Sequence, residues 1–326
     1  MSILSSELKF YKSVVVNDTS SNGGRMSTNQ WTSGLTGQEW PNISSTDMSA
    51  GSTKYRKLFL KVANVDDLSA SNVRIGIHKP TTGDDKIFLI EGTQTDIQSA
   101  FGTTLYGSGQ LDSNVSASAS SFDVLVEDGA DIIFRDGDNI RISDKATLDG
   151  AGNEEFHVVS GTPSVAGDVV TVTIAGTLAN GYSASDTYIS SLIDAGTIKA
   201  SVGSPTVTST SGTFDETKMT AHAIGGLYET FTFTFTSGTA FSCVGDTLGS
   251  VGTGNISSTF QPTNSAFGTA YFTLLPAAWG GTYLSGDTVV ITTTPAAYGF
   301  VEKRVVPAGA TTINPYTLTL IAFVEG

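Results

Sequence analysis

ETFTFTFTSG, residues 229–238, sets Phe231, Phe233 and Phe235 alternately with threonines. A period of two puts all three rings on one face of a strand and the hydroxyls on the other. In a helix, at about 100° per residue, the same rings would spread over more than half of the circumference and define no narrow apolar stripe. The stretch therefore predicts a strand with one buried aromatic face and one polar face.

The same reading extends in both directions. AYFTLLP (270–276), DTVVITTTP (287–295) and TLTLIAFVEG (317–326) follow it, and KLFLKVANV (57–65), NVRIGIH (72–78) and KIFLIEG (86–92) precede it. Between them SFDVLVEDG, DNIRIS, EEFHVVSG and DVVTVTIAG succeed one another over residues 121–176. Short alternating runs bounded by Gly, Asp and Ser are the signature of antiparallel sandwiches and small barrels. Helical signals are few. TQTDIQSAFG (93–102) predicts one or two turns, capped by Thr95 or Asp96 and ended by Gly102. STDMSAGSTKYRKL (45–58) is a second candidate, interrupted by Gly51. The fold class is all-β: a multi-domain antiparallel β-sandwich and small β-barrel architecture with long loops and little helix.

Charge divides the chain. Residues 1–110 carry 10 basic and 10 acidic side chains, residues 111–215 carry 4 and 15, and residues 216–326 carry 3 and 6, for a net charge of −14. With the Ser-rich entry SNVSASASS, these breaks predict three parts: an N-terminal β domain with an extended arm (1–110), an inserted acidic small β-barrel or sandwich (111–192), and a C-terminal β-sandwich packing with the first (193–326). An acidic surface opposes tight binding to nucleic acid, whose phosphates need Lys and Arg, though it suits a wall past which DNA moves. No apolar run reaches the roughly 20 residues of a spanning helix, so no membrane is expected as a partner. The start, MSILSSELKFYKS, lacks the apolar segment of a secretory signal. One cysteine, Cys243, leaves no intramolecular disulfide to form.

A Gly-Asp pair recurs ahead of the strands, at Gly83-Asp84, Gly137-Asp138, Gly167-Asp168, Gly245-Asp246 and Gly286-Asp287. Turn punctuation is the preferred account: Gly supplies φ > 0, and Asp bonds its own backbone two residues on. The alternative is a calcium site, for which Asp136, Asp138, Asn139 and Asp144 form the best oxygen cluster, without the spacing of an ordered calcium loop.

Catalytic patterns are nearly absent, with a carboxylate pair assembled in space the one arrangement that sequence spacing leaves open. His78, His157 and His222 are widely separated, Cys243 sits in apolar sequence with no base nearby, and Glu154 and Glu155 are adjacent, so a strand would send them to opposite faces. No phosphate-binding loop or nucleophile elbow occurs. The reading is non-enzymatic, with no cofactor. Candidate contact residues remain. Trp31 and Trp40 lie in a long stretch with little periodicity, an arm suited to anchoring on a neighbouring copy. Trp279 and Tyr283 lie in a Gly-rich loop, for core or interface packing or, less favoured, for stacking on a sugar. Lys54, Arg56, Lys57 and Lys61 make the one dense basic patch, read either as a solvated strand edge or as a dock for the acidic third of another copy.

GSTKYRKLFLKVANVDDLS (51–69), VVSGTPSVAGDVVTVTIAGTLANGYSASDTYISS (158–191), FTLLPAAWGGTYLSGDTVVITTTPAA (272–297) with EKRVVPAGA (302–310), and the shorter NGGRMS (22–27) together resemble virion structural proteins of tailed bacteriophages. The likeness is one of phrase and spans most of the chain, so it transfers a class and no residue roles. It implies a homo-oligomeric ring or lattice built into a virion after assembly in the host cytoplasm, with copies of itself and other virion proteins as partners. A tail position, in tube or baseplate, comes first, with neck, collar or capsid decoration next. A host-glycan-binding fibre or adhesin is the alternative from another class, although the repeats or heptads of a fibre are missing.

Overall fold

Phe231, Phe233 and Phe235 do share one face of one strand, Glu229–Phe235, and are at most 1% exposed. This strand is central in an antiparallel sheet that runs from Thr206–Thr208 through Thr288–Thr294, Glu229–Phe235 and Ala240–Gly245 to Gly249–Asn255. Its inner face packs the three rings with Phe241, Cys243, Val289 and Ile291 of neighbouring strands, and with Phe272 and Tyr283 from the covering layer. The protein is all-β, in several antiparallel sheets. The computed structural model describes residues 3–32, 40, 42–311 and 318–325.

Ahead of residue 199 the chain forms β1 (Leu8–Val15), β2 (Gly23–Trp31), β3 (Ser52–Val62), β4 (Ala70–Ile77), β5 (Lys86–Glu91), β6 (Ser108–Leu111), β7 (Ser121–Leu125), β8 (Asn139–Ser143), β9 (Glu154–Val158), β10 (Ser164–Ala166), β11 (Val169–Thr173) and β12 (Tyr188–Ile198). A five-stranded sheet has the order β2, β1, β3, Ala297–Val306, β5. Opposite it lie β4, the second half of β12 and Leu320–Glu325. Between the layers sit Leu58, Leu60 and Val62 of β3, Val73, Ile75 and Ile77 of β4, and Phe300. Burying one such side chain is worth about 1.5–3 kcal/mol, so this alternation fixes the register of β3 and β4.

Strands β6 to β11 curl around a second core of Phe122, Val124, Ile140, Ile142, Val172 and Ile189, to which Phe88, Ile90 and Val301 of the five-stranded sheet contribute. Strand β12 joins the two bodies. Tyr188–Ser190 pair with β6, Tyr188–Leu192 with β8, and Ile193–Ile198 with β4. The end of β9 meets the end of β11 only at the Val159–Ile174 bridge, so the sheet curls without closing as a barrel.

Several local expectations are corrected. β2 runs through the stretch read as arm, since GGRMSTNQW has no apolar alternation; residues 33–39 of that stretch lie outside the described residues. The helix α1 is only Ser45–Ala50, capped by Ser44 and ended at Gly51 with φ 77°, after which the chain turns directly into β3. Residues 93–102 yield a single 3-10 turn, Gln98–Ala100, with neither Thr95 nor Asp96 as its cap. β12 has no period of two because both its faces are covered: Ser190 and Ser191 are buried, and the Ser190 hydroxyl donates to the Ile77 carbonyl at 2.5 Å.

Candidate functional site

The densest chemistry lies on the five-stranded sheet, and it starts from β3. Alternation sends Leu58, Leu60 and Val62 into the sandwich and Lys57, Phe59 and Lys61 to the other face. Lys57 and Lys61 thus share a face, but that face is interior. Lys57 is 1% exposed and Lys61 0%. The Lys57 ammonium donates to the Gly24 carbonyl at 2.8 Å, to the Asp96 carbonyl at 3.0 Å and to the Asp96 carboxylate. Burial lowers its pKa, and the Asp96 carboxylate opposes that. Three acceptors match the three protons of an ammonium.

Lys61 reaches into the C-terminal part of the chain. Its Nζ donates to the Ile224 carbonyl at 2.7 Å and the Gly226 carbonyl at 3.4 Å, with the Phe267 and Tyr11 rings at 4.2 and 5.7 Å. Burial, aided by Lys9, pushes its pKa down to about 7. Both sequence readings of this basic patch therefore fail at Lys57 and Lys61. β3 is no edge, because Ala297–Val306 pairs along it from Ser52 to Lys61, a partner more than 200 positions away in sequence. Nor can these ammonium groups dock another copy, since groups of their own chain enclose them.

Arg56 lies on the opposite face, beyond the apolar core. Its guanidinium stands 4.6 Å from the Trp40 ring, with Arg304 at 4.5 Å from the same ring, and the indole N–H donates to Glu302 Oε2 at 3.0 Å. Arg56 also binds Asp18 at 2.7 Å, and Lys54 pairs with Asp47 at 3.1 Å and Asp18 at 3.5 Å. Trp40 is therefore anchored on its own chain, where the arm reading had placed it on a neighbour. Cation–π contacts and the indole hydrogen bond fix it. Trp31 packs edge-on against Phe10 at 5.8 Å.

Arg25 and Asp67 fasten this body to the C-terminal part of the chain. Arg25, in NGGRMS, binds Glu229 at 3.0 Å and Asp246 at 2.5 Å. Glu229 is 1% exposed and also accepts from the Thr247 and Leu248 N–H groups. His222 Nδ1 lies 2.7 Å from Asp67 Oδ2, and the Ala223 N–H donates to Asp67 Oδ1 at 2.7 Å. Sequence reasoning passed over Arg25, Asp67 and Glu229, because each pairing spans more than 150 residues and leaves no local mark.

The remaining candidates resolve individually. Tyr283 is buried, stacked 3.9 Å from Phe235, and its hydroxyl donates to the Thr213 carbonyl at 2.7 Å. Trp279 packs edge-on against Phe214, Phe233 and Phe235. Both belong to the aromatic core. Asp136 accepts from the Gly161 N–H, Asp138 from the Arg135 N–H, and Asp144 from Asn153. Asn139 opens β8, and Asp144 follows its end, roughly 16 Å on at about 3.3 Å per residue. Among the described residues no group of three or more His, Cys, Asp or Glu could hold a metal ion. Gly137, Gly167 and Gly286 have the positive φ expected of turns, while Gly83 and Gly245 do not. Asp138 and Asp287 bond the backbone three residues back, at the Arg135 and Leu284 N–H groups, and not two residues on.

Glu154 and Glu155 do diverge, and neither is idle. Glu154 binds Arg141 at 2.5 Å and Lys145 at 3.1 Å; the fully buried Arg141 also donates to His78 Nδ1 at 2.9 Å. Burial would raise the Glu155 carboxyl, but bonds from the Ala179 N–H, His157 and Asn180 outweigh it and hold the pKa down to about 2. Comparison of the chain with protein-family models, with curated proteins and with solved structures returns no match.

Proposed function

We propose that this protein is a non-enzymatic structural component of a tailed-bacteriophage virion, assembling as a homo-oligomeric ring, with the tail tube or baseplate as its place. The observation that carries a structural role is the use made of the buried charges. The buried Lys57, Lys61 and Arg141 and the half-buried Arg25 are each bound by groups of the same chain; Lys61 fastens the sandwich to the segment ahead of the aromatic sheet, and Arg25 fastens it to the buried Glu229 of that sheet. Charges held this way resist relative motion of the bodies, because moving them apart would leave an ammonium or carboxylate unpaired out of water. A ring subunit under load needs that stiffness. The phage assignment itself rests on the resemblance of phrase across the chain. Neck, collar and capsid decoration are the neighbouring positions. The glycan-binding alternative loses its platform at Trp279 and Tyr283, whose rings pack in the aromatic core.

Native mass spectrometry with negative-stain imaging of the purified protein tests this. A closed ring is the expected result. A chain that stays monomeric up to about 100 μM, or one that hydrolyses a polysaccharide, would refute it.

A further inference from the structure

The face of the C-terminal sheet turned away from the phenylalanines is threonine and valine along its middle, and Asp246, opposite Thr230 at one end, is paired with Arg25. On the central strand it presents Thr230, Thr232 and Thr234, flanked by Val290 and Thr292 on one side and Val244 on the other. None of these is buried by the described residues, and Val244 is 42% exposed. The rows are in register: Thr232 pairs with both Val290 and Val244, and Thr230 pairs with Thr292, their hydroxyls 3.0 Å apart. Serine and threonine continue the face onto both outer strands, at Thr206, Thr208, Ser250 and Thr253.

We propose that this threonine–valine face is the surface on which a second copy of the chain packs, sheet on sheet. The inference rests on the homo-oligomer reading and adds to it a two-fold contact, which pairs copies across this face, beside the head-to-tail contacts that close a ring. Three observations select a second copy as the occupant. First, the chain carries a net charge of −14, so two copies repel wherever unpaired acidic groups meet, and the acidic group at the end of this face, Asp246, is neutralised by Arg25. Second, a hydroxyl both donates and accepts, so a threonine face is complementary to itself, as a face of lysine or glutamate is not. Third, the extent is sufficient. Five strands about 4.8 Å apart and some six residues long at about 3.3 Å span roughly 500 Å² per copy, or about 1,000 Å² for a pair, the lower bound for a specific contact. Sheets meeting this way pack about 10 Å apart with side chains interdigitated.

Thr232→Lys and, separately, Val244→Lys place an ammonium near the middle of the contact, and Val65→Lys, at a position 76% exposed elsewhere, is the control. Sedimentation equilibrium of each, with near-UV circular dichroism to establish folding, reads the outcome. The expected result is self-association of the wild type and of Val65→Lys, weakened roughly 100-fold or more in both face variants by like charges brought together. Two positions on different strands keep the test valid if one variant does not fold. Assembly that survives both substitutions, or that Val65→Lys disrupts equally, would overturn this interface while leaving the assembly proposal standing. A wild type that never associates would overturn both.

Discussion

Phe233→Ala is the sharpest test of the aromatic sheet. The ring is fully buried and lies within 6.4 Å, centroid to centroid, of Phe214, Phe241, Phe260, Phe272 and Trp279. Truncation removes roughly 120 Å² of apolar surface from the core, about 3 kcal/mol at 25 cal/mol/Å². The hole adds a further ~24 cal/mol for each Å³ that neighbours fail to fill. Five rigid rings, held on strands paired along their length, collapse poorly into such a hole. A cost of about 4–5 kcal/mol follows, at the upper end of the range for Phe→Ala. Thr232→Ala, one residue away on the open face, should cost less than ~1 kcal/mol in dilute monomer. Urea unfolding monitored by tryptophan fluorescence, which reports Trp279 against Phe233, measures both. A Phe233→Ala cost below about 2 kcal/mol, or equal costs at the two positions, would refute the one-sided burial on which the fold reading rests.

Three other outcomes are expected. Gly286→Val should destabilise by about 1–2 kcal/mol through backbone strain alone, because Gly286 has φ 95° with open space where a side chain would go, whereas Asp287→Asn keeps the acceptor for Leu284 and should cost well under that in thermal melts. Glu229→Ala should cost about 3–5 kcal/mol in urea titrations, since it strands the Thr247 and Leu248 N–H groups and removes a buried partner of Arg25. The Glu155 carboxyl is depressed from its ordinary 4.5 to about 2 on folding, so its stabilisation is complete above about pH 4.5 and is lost as pH falls through about 2. Melting temperature should fall across that window in the wild type and less steeply in Glu155→Gln.

The sequence alone determined whatever rests on neighbours one or two residues apart. Period-two alternation at Phe231, Phe233 and Phe235, at Leu58 and Leu60, and at Ile140 and Ile142 gave the strands and their buried faces, because side-chain direction in an extended chain is a local property. Positive φ at Gly137, Gly167 and Gly286 was legible for the same reason. Tertiary structure decided what needs a distant partner. β2 and β12 are strands because other strands hydrogen-bond them, and their sequences carry no clean alternation. Lys57 and Lys61 read as a surface patch, since a buried ammonium is costly unless carbonyls and carboxylates meet it, and Gly24, Asp96, Ile224 and Gly226 arrive only when the chain folds. Ala297–Val306, inserted between β3 and β5, makes the basic strand interior and closes the sandwich around it. A local pattern fixes which way a side chain points; whether it points at water or at protein depends on strands brought in from the far end of the chain.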